Sequence, residues 1–113
     1  MRITPCLVVS AVVFATGPTY GASAATLWKK QCASCHGLDG RGETKAGRKL
    51  LIGDLTNAQL QAKFSDEQAF QSIKFGLKDA NGRVIMKPAK RVTDDEVSAL
   101  VAKVRTFVRE VSP

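Results

Sequence analysis

The chain carries a single histidine, His36, and beyond its initiator a single methionine, Met86. Its cysteines are Cys6, Cys32 and Cys35. A metal site built on two or more imidazoles is therefore excluded. Aromatic residues are few as well: past residue 24, and apart from histidine, they are Trp28, Phe64, Phe70, Phe75 and Phe107. A domain resting on these has a thin core unless something large and apolar fills its middle, and domains of this size often lean on a staple or cofactor. The chain also lacks any block of five or six like charges. Its formal net charge of +7 is scattered, which reads as a solvated face rather than a nucleic-acid-binding tract. There is no apolar run of the roughly 20 residues that a membrane-spanning helix needs.

What is present begins with a leader. Cys6 to Thr16 is a mostly apolar run of 11 residues. Arg2 precedes it, Gly17 and Pro18 break it, and Ala22 to Ala24 supply small residues for cleavage. That is the order of a secretory signal peptide, with an uncleaved anchor as the alternative. The expected division is a signal peptide over 1–24 and one domain over 25–113. Cleavage near Ala24 removes Cys6, leaves Cys32 and Cys35 as the thiols, and delivers an exported chain with no stable membrane insertion.

Three helical stretches follow. The clearest is the last, where Thr93 and Glu96 form a capping box and Asp94 and Asp95 suit a helix N-terminus. Val97, Leu100, Val101, Val104, Phe107, Val108 and Val111 then recur at spacings of three and four, predicting a long amphipathic helix over about Asp94 to Glu110. The middle helix starts at a second capping box, Ser65 and Gln68, buries Phe70 and Ile73, and stops at Gly76. The first is short, about Ala25 to Ala33, with Leu27 and Trp28 as its apolar residues. Asp54 to Phe64 adds a helical turn or two. Gly37 to Gly53 holds five glycines and no helical period, so it reads as a loop. Asn81-Gly82 is a hairpin signal, but no good strand precedes it, and Lys78 to Val92 is also expected to be a loop.

The stretch "QCASCHG", Gln31 to Gly37, carries the chemistry. Three uses compete for two cysteines held two apart with a histidine directly after. Disulfide exchange wants a thiolate at a helix N-terminus, usually in a βαβ setting; here the cysteines follow a helix. Structural zinc wants four ligands, and Cys32, Cys35 and His36 supply three. A plain disulfide leaves His36 unexplained. Covalent haem attachment accounts for every part: Cys32 and Cys35 as thioether links to one porphyrin, His36 as the proximal ligand. The sixth ligand then decides the function. Met86 lies in a proline-containing loop, and a thioether is a soft, neutral ligand that raises the potential. The bland use of a lone methionine is core filling.

Three segments together carry a family likeness: "WKKQCASCHGLDGRG" from Trp28 to Gly42, "IMKP" from Ile85 to Pro88, and "VTDDEVSALVAKVRTF" from Val92 to Phe107. In these, and in their order, residues 25–113 resemble a small bacterial class I cytochrome c with one haem. The resemblance implies an all-α fold of three to five helices and loops wrapped around one covalently bound haem c. It implies Cys32 and Cys35 as thioether residues, His36 and Met86 as axial ligands, and a first and last helix crossing near one haem edge. Lys103 stands where relatives often place an aromatic, which leaves two expectations: the crossing rests on Trp28 and Leu100 alone, or the lysine stem covers the gap.

An iron with both axial positions filled has no place for substrate. The expectation is an electron carrier of the periplasm, not an enzyme, and monomeric. Lys29, Lys30, Lys87, Lys90 and Arg91 are candidates for a basic rim that steers acidic redox partners. Arg41 and Arg48 are candidates for pairing with haem propionates. A backbone carbonyl just after His36 is expected to accept its Nδ1–H. Leu38, Leu50, Leu51, Ile52, Leu55, Phe70, Ile73, Ile85, Leu100 and Val104 are the expected apolar shell. Two rivals stay open: a ligand-binding haem protein with a labile sixth site, and the haem subunit of a larger oxidoreductase.

Overall fold

The terminal helix organises the domain. In the computed structural model, which describes residues 2–12 and 23–111 and side chains as far as residue 108, α6 runs from Asp94–Val111. Both bonds of its capping box are made: Glu96 N–H donates to Thr93 Oγ1 at 3.1 Å, and Thr93 N–H donates to Glu96 Oε1 at 3.0 Å. Of the predicted apolar face, Val97 and Phe107 are fully enclosed and Leu100, Val101 and Val104 nearly so, while Val108 is half-buried and the Val111 side chain lies outside the described residues. Removing one such side chain from water is worth roughly 1.5–3 kcal/mol, so this face supplies much of the stability of a small domain.

Against α6 lies one continuous helical stretch: α1, Ala24–Leu27; a π-helical turn, Trp28–Cys32; and α2, Ala33–His36. It runs further than the sequence suggests, through the whole cysteine motif. Ser23 caps it, accepting from Thr26 N–H at 3.1 Å. Leu27 and Trp28 are buried, and the Trp28 ring meets Phe107 with centroids 4.9 Å apart. The helix crossing therefore rests on Phe107 as well as on Trp28 and Leu100. Lys103 covers the other partner's ring, its Nζ lying 5.1 Å from the Phe107 centroid, so a cation over an aromatic face occupies the place expected of an aromatic. Gly40, at φ +75°, lies close to that ring; a Cβ there would come within 2.7 Å of Phe107.

Shorter elements fill the interval. Thr44 caps α3, Lys45–Lys49, a single turn inside the segment expected to be a loop. Asn57 caps α4, Ala58–Gln61. Ser65 and Gln68 form the predicted capping box of α5, Asp66–Phe75, which ends at Gly76 with φ +76°. Arg105 of α6 ties this interval down. Its guanidinium donates to Asp66 Oδ1 at 2.8 Å, to Gln61 O at 2.6 Å and to Phe64 O at 2.8 Å. Gln61 is itself buried and donates to the carbonyls of Leu55 and Val104, both at 2.8 Å.

One expectation fails here. Leu77–Lys78 (β1) and Val84–Met86 (β2) pair antiparallel, so Lys78 to Val92 is not simply a loop. The Asn81-Gly82 signal was sufficient despite the poor first strand. Asp79 supplies the reason: its Oδ1 accepts from Asn81 N–H at 2.8 Å and Arg83 N–H at 2.9 Å, closing the turn from within. This is the only strand pairing among the described residues, and the chain is otherwise helix and connecting segment, an all-α fold as expected. Residues 2–12 have no regular structure, and Leu7, Val8, Val9 and Val12 are exposed. Gly17, Pro18 and Ala22 of the expected leader lie outside the described residues.

Candidate cofactor site

The turn from Trp28 to Cys32 is wider than an α-helix: Ala33 N–H reaches back five residues to Trp28 O. Such inserted turns often accompany functional sites. Here Leu27 and Trp28 go to the core, while Gln31, Cys32, Ser34, Cys35 and His36 line a cavity of about 440 Å³. That volume is within the roughly 300–1,000 Å³ of cofactor and ligand sites. A second wall is the segment after α3, Leu50 to Gly53. The hairpin gives a third, with Leu77, Val84, Ile85 and Met86, and Ile73 of α5 joins them.

The motif is braced from below. Thr44 Oγ1 donates to Cys35 O at 2.7 Å and accepts from Gly47 N–H at 2.8 Å. Gly47 cannot be larger, because a Cβ would run into the carbonyl oxygens of Gly42 and Cys35. Trp28 Nε1 donates to Gly37 O at 2.9 Å, and the indole lies 5.5 Å from the His36 ring.

Cys32 and Cys35 are both half-buried and are not paired with each other in the structure. Burial first, then the neighbouring Cys35, pushes the Cys32 thiol up to about 11. Among the described residues no group of three or more His, Cys, Asp and Glu side chains is placed to hold a metal ion, so a zinc cluster is not formed. Burial lowers the pKa of His36 and favours the neutral imidazole, the form that ligates iron.

Where the structure departs from the sequence reading, the reasons are local. His36 Nδ1 is buried with no hydrogen-bond partner. The carbonyls just after it accept from other donors and not from Nδ1, His36 O from Gly42 N–H at 2.7 Å and Gly37 O from Trp28 Nε1 at 2.9 Å. Of the expected shell, Leu50, Leu51, Ile52, Ile73 and Ile85 line the cavity. Leu55, Leu100 and Val104 are buried in the helix core instead, Phe70 packs against that core, and Leu38 is exposed. Arg41 turns to Asp39 at 3.5 Å and Arg48 to Glu43 O at 3.5 Å, and neither lines the cavity. Lys29, Lys30, Lys87, Lys90 and Arg91 are all exposed, and Lys87 stands at the cavity itself. The sequence reading missed Gln31, Ser34, Leu77, Val84 and Ala89 as lining residues. The Asn-Gly turn signal pointed to Leu77 and Val84; nothing in the sequence pointed to Gln31.

The cavity fits a haem on its own features. Two thiols, an imidazole and a thioether meet in one space. Its aliphatic walls are open to water: Leu51 is 88% exposed, and Leu50, Leu77, Val84 and Ile85 are exposed too. Leu51 also holds φ +54°, a backbone state that a bulky side chain seldom takes. An apolar cradle of this kind marks a ligand groove.

Comparison with known proteins agrees. The family model described as cytochrome c matches residues 22–107. The solved structure of the KustC0563 c-type cytochrome is similar at 36% identity and a TM-score of 0.64, covering 76% of this chain and 98% of that one. A single-substitution mutant of the same cytochrome matches at 36% identity and a TM-score of 0.63, covering 76% and 99%. No curated protein matches the chain significantly. With a helical fold, a cavity gathering the thiols and the imidazole of one CxxCH motif, and a family match over most of its length, the chain belongs to the cytochrome c family, carries a covalently bound c-type haem and serves haem-based electron transfer.

Proposed function

We propose that the protein is a periplasmic single-haem electron carrier. In this reading Cys32 and Cys35 hold the haem through thioether bonds, and His36 and Met86 are the axial ligands. One observation carries it: Met86, far from the motif in sequence, lines the same cavity as Cys32, Cys35 and His36. The bound iron supplies one-electron exchange; every other part of the function falls to the chain. Cys32 and Cys35 anchor the ring at the end of a helix that is braced by Thr44 and Gly47. Met86 would hold the iron through its thioether, a ligand that favours the reduced state and raises the potential. The aliphatic walls, open to water on their own, would be covered by the haem and would then keep water away from it.

The same reading places the carrier outside the cytoplasm. Cytochromes of this type are typically exported, the chain opens with a leader-like segment, and no helix among the described residues is long and apolar enough to cross a membrane. The exposed cations Lys29, Lys30, Lys87, Lys90 and Arg91 steer acidic redox partners, with association rates falling as salt screens them.

Absorption spectra of the holoprotein test the ligand set. The expected result is a low-spin spectrum in both oxidation states, with the reduced form slow to take up carbon monoxide. Met86→Ala should lower the potential and open the site to carbon monoxide. An unchanged potential in that variant would remove Met86 from the ligand set, and free carbon monoxide binding by the wild type would favour a sensing or catalytic haem protein.

A further inference from the structure

From Lys87 to Thr93 the chain has no regular structure, yet this segment directly follows Met86. At its start, Leu77 of β1 is the register partner of Met86. In its middle, Ala89 N–H donates to Ile73 O at 2.9 Å. Beyond that, the hold comes from a side chain. Gln31 Nε2 donates to Lys90 O at 2.9 Å, and Lys90 N–H donates to Gln31 Oε1 at 2.7 Å. One side-chain amide thus satisfies both polar groups of one backbone residue, much as a neighbouring strand would.

The position of this pair matters. Gln31 immediately precedes Cys32 and lines the cavity. Lys90 is followed by Arg91, which holds φ +56°. A non-glycine residue in that state persists only where its surroundings over-determine it. The paired Lys90 is what fixes the chain on one side of that strained residue. The clamp therefore joins the residue before Cys32, which lines the cavity, to the middle of the segment that follows Met86.

We propose that Gln31 is a positioning residue for the sixth ligand: by clamping Lys90 it holds the methionine segment closed and keeps the Met86 thioether at the iron. This rests on the reading of Met86 as a ligand. Gln31 touches neither iron nor substrate in this role; it sets how often the segment opens. Both bonds are exposed to solvent, so their loss should raise the open population by about one order of magnitude rather than abolish ligation.

The test uses the haem-loaded full protein as wild type, Gln31→Ala, Gln31→Glu and Met86→Ala. The readouts are the rate of carbon monoxide binding to the reduced form and the sulfur-to-iron charge-transfer band of the oxidised form. Gln31→Ala should bind carbon monoxide about tenfold faster than wild type and show a weaker charge-transfer band, with haem content and helical circular dichroism unchanged. Gln31→Glu keeps an acceptor for Lys90 N–H and loses the donor to Lys90 O, so it should fall between the two. A slow wild type and an equally slow Gln31→Ala would overturn the clamp while leaving Met86 as ligand. A wild type as fast as Met86→Ala would overturn the ligand reading and the clamp with it.

Discussion

The two halves of this small domain are built differently. Where α6 meets Leu27 and Trp28, side chains from the chain alone fill the space: Phe107, Leu100 and Val97 are enclosed, and Gly40 leaves no gap against the Phe107 ring. On the cavity side, Leu50, Leu51, Leu77, Val84 and Ile85 present aliphatic surface to water. The first half is a protein core in the ordinary sense. The second is a mould, which in the proposed reading the haem completes. A chain with so few aromatics gains most by letting one large apolar cofactor do the work of several side chains.

The contrast predicts which changes hurt most. The largest effect should come from Cys32→Ser combined with Cys35→Ser, which removes both proposed attachment points. No covalent haem should survive denaturing electrophoresis, and hydrogen exchange should show the hairpin and Leu50 to Gly53 opening before α6. Haem still attached to the double variant would exclude these cysteines. Next comes Phe107→Ala, aimed at the self-sufficient half. Chemical denaturation of the holoprotein should show a loss of roughly 3–5 kcal/mol with the spectrum little altered. A loss below about 1 kcal/mol would mean the helix crossing does not depend on that ring.

Gly76→Ala strikes the mould. It places a side chain at φ +76°, with its Cβ 2.5 Å from Met86 O and 2.9 Å from Pro88 Cδ. With ψ at −177°, this is a backbone region nearly confined to glycine, and occupying it alone should cost about 1–3 kcal/mol. The more telling readout is a lowered potential as Met86 is displaced. Stability lost without any change in potential would place Gly76 outside the ligand's support. The smallest effect belongs to Lys74→Ala. Its ion pair with Asp94, 2.6 Å long, joins α5 to the start of α6 with both side chains substantially exposed. An exposed pair contributes at most about 1 kcal/mol, measurable as a minor shift in the unfolding midpoint that shrinks with salt.

Much of this was legible before any coordinates. Both capping boxes, the buried face of α6 and the helix stop at Gly76 are local signals, spelled within a few residues of where they act. So is CxxCH, because the chemistry itself demands that spacing. The less legible parts depend on distant partners. The single turn of α3 has no apolar period and survives on its Thr44 cap and on what Thr44 and Gly47 do for Cys35. The hairpin had a turn signal without a convincing first strand, and Asp79 made up the difference. Leu55, Leu100 and Val104 of the expected shell went to the helix core, since apolar character alone does not say which of two surfaces a side chain will join.

By itself, then, the sequence determined α5 and α6 with their caps, the attachment motif and the class of cofactor, all through signals spelled by near neighbours. Only the tertiary structure decided that Met86 shares a cavity with His36, that Phe107 closes against Trp28 and Gly40, and that Gln31 grips Lys90. Those are pairings between residues far apart along the chain. Their geometry follows from how α6 and the hairpin pack, and no local pattern of residues encodes it.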